Sequence, residues 1–245
     1  MSGTAAASAK ATILARVREA LRLPAPLPHL QSPAAEPAVA AGGGLPPLAV
    51  LPLESARPWL PDGGDTPADR LRILVENLEK LRAEVHRVPH AAEAADFLAA
   101  LARARGWRRV ACHDHSLVVQ VAAFLPCEAY HVDAGPFDKH ALEACDAGIT
   151  ACESLVAQTG SILVSTETCG GRAASILPHV HIVVATLDQI VSTLGDAFHA
   201  ARQRHAGRMP SMLSFITGPS RTGDIERILV LGAHGPKELL VVLVG

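Results

Sequence analysis

The residues best suited to chemistry cluster in two loops near the C-terminus and two loops upstream of them. Thr217-Gly218-Pro219-Ser220-Arg221-Thr222 crowds hydroxyls and a guanidinium into one turn after the apolar run 212–216. Gly232-Ala233-His234-Gly235-Pro236 follows a second apolar run, 228–231. Glycines at such turns let backbone N–H groups approach an anion, and Ser, Thr and Arg add donors, so the pair suits a carboxylate or a phosphate. Both runs read as strands whose carboxyl ends carry these loops, the place where ligands settle in open α/β sheets. Gly-Pro and Gly-x-x-Gly-Pro are also ordinary turn punctuation, so each loop reads equally well as a tight turn.

Upstream, Thr159-Gly160-Ser161 offers hydroxyl and backbone donors. The segment 165–177, STETCGGRAASIL, sets Glu167 and Arg172 about a Gly170-Gly171 turn. Glu167 has the chemistry of a general base or covalent carboxylate; a solvated loop acid is the plainer account. Arg172 suits bidentate binding of a carboxylate or phosphate, or an internal salt bridge that anchors the turn. Arg221 invites the same two readings, with Asp224 and Glu226 as local partners. Asp224 can equally orient His234 as a base by fixing its tautomer. The pairs His113/His115 and His179/His181 sit two apart, as strand residues sharing a face do, but no further ligand stands at a recognisable spacing and HExxH is absent. No metal site is assigned. GxSxG, Walker A and strand-borne GxGxxG patterns are also absent. Cys169 beside the glycine pair reads as a buried thiol rather than a reactive one.

These loops need a scaffold, and the composition bounds it. The 245 residues suffice for one domain with an appendage or for two small domains. The apolar residues lean on Ala, Val and Leu with 3% aromatics, which fits helices packed on a sheet. A formal charge of −2 leaves no electrostatic footprint for nucleic acid or an anionic membrane. Five scattered cysteines without CxxC pairs suit reduced thiols in a cytoplasmic protein. The longest purely apolar run, 239–244, is too short to span a bilayer.

Residues 8–22 read as an amphipathic helix ended by Pro24. From there to residue 65 the chain is rich in Pro, Ala and Gly and reads as an arm or linker, so 1–65 is taken as an appendage and 66–245 as the domain. Helix and strand patterns then alternate through 144, as parallel strands joined by crossover helices do. A hairpin is expected about 158–160, an apolar strand over 180–185, a helix over 187–204 bent near Gly195, and a closing strand over 239–244. The whole implies an α/β fold with a mixed sheet and helices on both faces.

With these elements placed, a resemblance emerges. Gly148-Ile149-Thr150, AQTGSILV (157–164), Arg172 with SILPHVHIVV (175–184), ITGPSRTGDIE (216–226) and VLGAHGP (230–236) resemble the LUD-domain family, most closely its lactate-utilization branch. The resemblance covers most of the chain from residue 66 and excludes the arm. It implies a Rossmann-like three-layer α/β/α fold of the NagB/RpiA/CoA-transferase group. It also implies a role in bacterial oxidation of L-lactate to pyruvate, beside partner proteins that carry iron–sulfur clusters. A larger relative in that system adds a cysteine-rich cluster domain, which is missing here, so this chain is expected to bind no cofactor itself. Glu153 stands where the family usually has a small apolar residue.

On this basis a small carboxylate, or a partner domain, is expected to meet Thr159, Gly160, Arg172, Ser175, Thr217, Gly218, Ser220, Arg221 and Asp224, with His234 as proton carrier. One alternative is a stand-alone transferase or isomerase using Glu167. The other is a non-catalytic assembly subunit whose loops and arm serve contact alone. Fold by itself does not choose among them.

Overall fold

The computed structural model describes residues 60–206, 208–225, 228–231 and 235–245, with Arg16 and Arg18, and the backbone alone over 222–225 and 228–231. The compact unit runs from Ala56 to Gly245. The helix expected over 8–22 (Arg16 and Arg18 apart), most of the arm, and His234 lie outside the described residues.

The first half follows the alternation of its sequence. Helix α1 (Pro67–Lys80) begins where Thr66 Oγ1 accepts from the Asp69 N–H at 3.1 Å and Pro67 fills the first helical position. Strand β1 (Glu84–Val88), α2 (Ala91–Arg105), β2 (Arg109–Cys112), α3 (Ser116–Ala122), β3 (Glu128–His131), α4 (Lys139–Glu143) and β4 (Ala147–Thr150) follow in order. The second half contributes β5 (Ser154–Val156), β6 (Ser161–Ser165), β7 (Val180–Thr186), β8 (Ile190–Val191), α5 (Leu194–Arg204), β9 (Leu213–Ile216), β10 (Arg221–Ile225), β11 (Ile228–Leu231) and β12 (Glu238–Val244).

Six strands form a wholly parallel sheet in the order β1-β12-β7-β4-β2-β3. Strands β7 and β12 read as near-continuous apolar runs because they lie inside it, buried on both faces. Helices α2 and α3 cover one face, where Leu98, Val118 and Val121 meet Val110, Ile149, Ile182 and Val242. The other face packs Val183, Val241 and Leu243 against Leu74 and Leu78 of α1 and Leu155 and Ile162 of a second sheet. That sheet has the order β8-β5-β6-β9, with β5–β6 and β6–β9 antiparallel, and Ala197 and Ala201 of α5 cover its outer side.

The α/β class is as the sequence implies, but the arrangement differs in three places. The strands divide between a parallel sheet and a separate mixed one, so a β layer stands between the central sheet and α5. The run Ile228–Leu231 does not enter the central sheet. It turns back on Arg221–Ile225 as an antiparallel ribbon, with Ile225 opposite Ile228. The Thr217 turn and Pro236 therefore come to the amino end of β12, not to the carboxyl edge of the sheet. Finally, the helix expected over 187–204 starts at Leu194. Thr193 Oγ1 accepts from the Asp196 N–H at 3.1 Å while Asp196 accepts from the Thr193 N–H at 2.9 Å, a reciprocal cap that fixes the start. Residues 187–191 before it form a 3-10 turn and the short strand β8.

Candidate functional site

The antiparallel register of β6 and β9 sets Ile162 opposite Ile216, so Ser161 and Thr217 face each other one step further on. Their hydroxyls are 2.8 Å apart, and Thr159 Oγ1 donates to Ser161 Oγ at 2.8 Å. With Ser161 donating onward to Thr217, this relay leaves the Thr217 O–H free to donate elsewhere. Gly160 is buried against Asn77 and Leu81, where Asn77 Nδ2 donates to the Ala157 carbonyl at 2.8 Å. Gly218, at φ +86, lies so near the Leu81 carbonyl that a Cβ would come within 2.9 Å of it. Both turns are thus seated on the C-terminal end of α1.

A second wall comes from the segment 172–177. Ser175 Oγ donates to the Arg172 carbonyl at 3.0 Å, and the Leu177 N–H donates to the Ala173 carbonyl at 2.9 Å. The segment presses onto β4 so closely that a Cβ on Gly148 would lie 2.2 Å from the Ala174 carbonyl oxygen. The third wall is tied down by the Ser220 N–H, which donates to the Pro236 carbonyl at 2.8 Å. Together these walls enclose a cavity of about 270 Å³ lined by Arg172, Ser175, Thr217, Gly218, Ser220 and Gly235, with Ile176, Met212 and Ile216 as apolar surface. Ser175 is buried, whereas the Arg172 side chain is exposed at the mouth.

Five residues singled out by sequence therefore share one cavity. Among the described residues, Thr159 connects to it through Ser161. Arg221 is exposed, its Nη2 3.7 Å from where a Gly218 Cβ would sit. The Asp224 side chain and His234 lie outside the described residues. Glu167 does not line the cavity: its exposed carboxylate stands 3.4 Å from His205 Nδ1. The Cys169 thiol donates to the Ser165 and Gly171 carbonyls, at 2.8 and 2.6 Å, and burial pushes it up to about 12, so it is inert at neutral pH. His181 is turned into the core against Thr150 Oγ1 at 2.9 Å. Among the described residues no group of three or more His, Cys, Asp and Glu is arranged to hold a metal ion.

One polar cluster was not singled out by sequence. Glu153 is fully buried, its carboxylate accepting from Ser165 Oγ at 2.6 Å, from Arg204 Nη1, and from His205 Nε2 at 3.0 Å. Burial alone would raise its pKa, but the hydrogen bonds from Ser165, Arg204 and His205, with the Arg204 charge, outweigh it and hold the carboxyl below its ordinary value. The signal was present in the sequence: a lone acid within the apolar stretch ITACESLVA calls for partners, and Arg204-His205 at the end of α5 supplies them.

A family model, described as the LUD domain, matches residues 71–244. The chain belongs to the LUD domain family. The cavity lies wholly within the matched LUD domain. Proteins named lactate utilization protein C are similar over part of their length. The one from Deinococcus radiodurans is 36% identical over 114 residues, 46% of this chain and 53% of that protein. Those from Shouchella clausii and Bacillus subtilis are 35% and 33% identical over 103 and 121 residues, covering 42% and 49% of this chain and 45% and 50% of theirs. The chain thus spans about half the length of the curated relatives it matches. The crystal structure of a DUF162 family protein from Deinococcus radiodurans superposes with a TM-score of 0.57 at 26% identity, covering 74% of this chain and all of that one. Among the described residues no helix is long and apolar enough to cross a membrane.

Proposed function

We propose that this LUD-domain chain serves lactate utilization by binding a small carboxylate, of the size of lactate or pyruvate, between the 172–177 segment and the Thr217 turn. The observation that carries the reading is the meeting of Arg172, Ser175, Thr217 and Ser220, from separate stretches of sequence, around one cavity. Arg172 at the mouth has the planar fork that pairs with a carboxylate, and Thr217 ends a hydroxyl relay with a donor for a 2-hydroxyl or 2-keto oxygen. The name shared by its relatives, lactate utilization protein C, supports this substrate class. Oxidising a hydroxy acid to a keto acid removes two electrons and two protons. The proposal gives this chain the binding of the acid, with His234 taking the hydroxyl proton, and leaves the two electrons and the proton from C2 to partner proteins carrying iron–sulfur clusters.

Thermal unfolding with and without L-lactate or pyruvate tests this. At a ligand concentration about tenfold above Kd, stabilisation is about 1.4 kcal/mol and Tm rises by about 3–5 °C. Arg172→Ala, altering an exposed side chain, keeps the ligand-free Tm and loses the rise. A rise of the same size in Arg172→Ala, or no response to either acid, overturns the reading.

A further inference from the structure

The carboxyl edge of the parallel sheet, where the sequence reading expected the Thr217 and His234 loops, holds a second cavity of about 400 Å³. Strand β2 has β3 on one side and β4 on the other, so successive connections leave in opposite directions there and open a crevice. Residues at or just beyond the carboxyl ends of β2 (His115), β4 (Cys152) and β7 (Thr186, Asp188) line it, with Gln120 of α3 and Arg204 of α5. The first cavity lies instead beside Pro236 and Ser175, ahead of β12 and β7. The two are separate places on the fold.

Several lining groups are already occupied. Gln189 accepts from the Thr186 N–H at 2.8 Å and donates to the Cys152 carbonyl at 2.7 Å, and Thr168 Oγ1 accepts from the Ser165 N–H at 2.9 Å. The Cys152 thiol is pushed up to about 12 by burial, so it stays protonated. What remains is a mixed set. Arg204 is tied to Glu153 through Nη1, which fixes the guanidinium and leaves its other edge to the cavity. Asp188 and Gln120 are exposed at the rim.

One cation and one anion in a single lining select the ligand. A simple anion would be repelled by Asp188, and a simple cation by Arg204. A carboxylate that also carries hydroxyls satisfies both, because its hydroxyls donate to Asp188 while its charge meets Arg204. A hydroxyl both donates and accepts, so it pairs with either end of the Gln120 amide at the rim, which an ammonium group does not. The volume falls within the range of about 300–1,000 Å³ usual for small-molecule sites and exceeds that of the first cavity.

We infer that this crevice is a second ligand site, taking a polyhydroxylated carboxylate of the sugar-acid class, with Arg204 on the carboxylate and Asp188 and Gln120 on the hydroxyls. Isothermal titration with D-gluconate tests it. The protein binds gluconate with a Kd below about 1 mM, and propionate, without hydroxyls, or sorbitol, without a carboxylate, at least about tenfold more weakly. Asp188→Asn and Gln120→Ala alter exposed side chains, so both fold, and Asp188→Asn weakens gluconate at least about tenfold, the loss expected for one charged hydrogen bond. Arg172→Ala binds gluconate as the parent does, which separates this site from the carboxylate cavity proposed above. Four results would overturn the inference: no gluconate binding at about 10 mM, binding unchanged in Asp188→Asn, binding lost in Arg172→Ala, or L-serine bound more tightly than gluconate.

Discussion

A carboxylate with no exposed surface persists at Glu153 because three side-chain donors close around it. Removing the charge strands Arg204 and His205, so Glu153→Gln costs about 3 kcal/mol, at the low end for a broken buried pair because Arg204 is half exposed. Urea unfolding of Glu153→Gln, Arg204→Gln and the double variant should give a coupling of about 1–3 kcal/mol; additivity within about 0.5 kcal/mol would show that the pair does not act as a unit. Acid sensitivity has two origins. Glu153 is held below its ordinary value of 4.5, so its stabilisation is complete above that value and is lost as pH falls through the lower folded value. His113 and His181 are lowered by burial to about 4 and about 3 from 6.5. The unfolded chain therefore takes up protons near 6.5 that the folded chain refuses, and stability falls as pH drops from about 6.5 toward about 4, by up to about 1.4 kcal/mol per pH unit for His181 alone. His181→Gln should flatten that fall in urea midpoints measured across the range, and a parent protein with pH-independent midpoints there would contradict the account.

At the scale of elements, the 172–177 segment owes its position to the absence of a side chain at Gly148. Gly148→Ala forces the Ala174 carbonyl away from β4, costing about 1–3 kcal/mol and shifting Arg172 and Ser175 together. The measurement is unfolding free energy beside the thermal response to pyruvate, and a variant with unchanged values for both would refute the role given to that contact. Much of this level could be read from sequence. Buried strands β7 and β12 showed as apolar runs, and Gln158-Thr159-Gly160 marked the β5–β6 hairpin. The run at Ile228–Leu231 was misplaced because four apolar residues look alike in a central strand and in a ribbon; only the partner, Arg221–Ile225, distinguishes them. The helix over 187–204 was begun too early because Leu187 and Ile190 mimic helical spacing, while the decisive signal was the Thr193–Asp196 cap. The convergence of Arg172 with Thr217 and Ser220 was legible only through the family motifs, since no local pattern relates residues so far apart.

On the scale of the whole molecule, the parallel sheet separates two kinds of surface. Its amino end, closed by β9, the Thr217 turn and Pro236, carries the small cavity with one exposed arginine at the mouth. Its carboxyl edge carries the larger cavity beside the Glu153 cluster, with Arg204 common to both. The chain thus presents a pair of cavities at opposite ends of one sheet, each lined largely by residues of the connecting loops. The most direct test of the central claim is a crystal structure grown with pyruvate. The account predicts density for the acid between Arg172 and Ser220, its carboxylate on the guanidinium and its keto oxygen within hydrogen-bond distance of Thr217 Oγ1. Well-ordered Arg172 and Thr217 around a cavity that holds no acid at saturating pyruvate would contradict it.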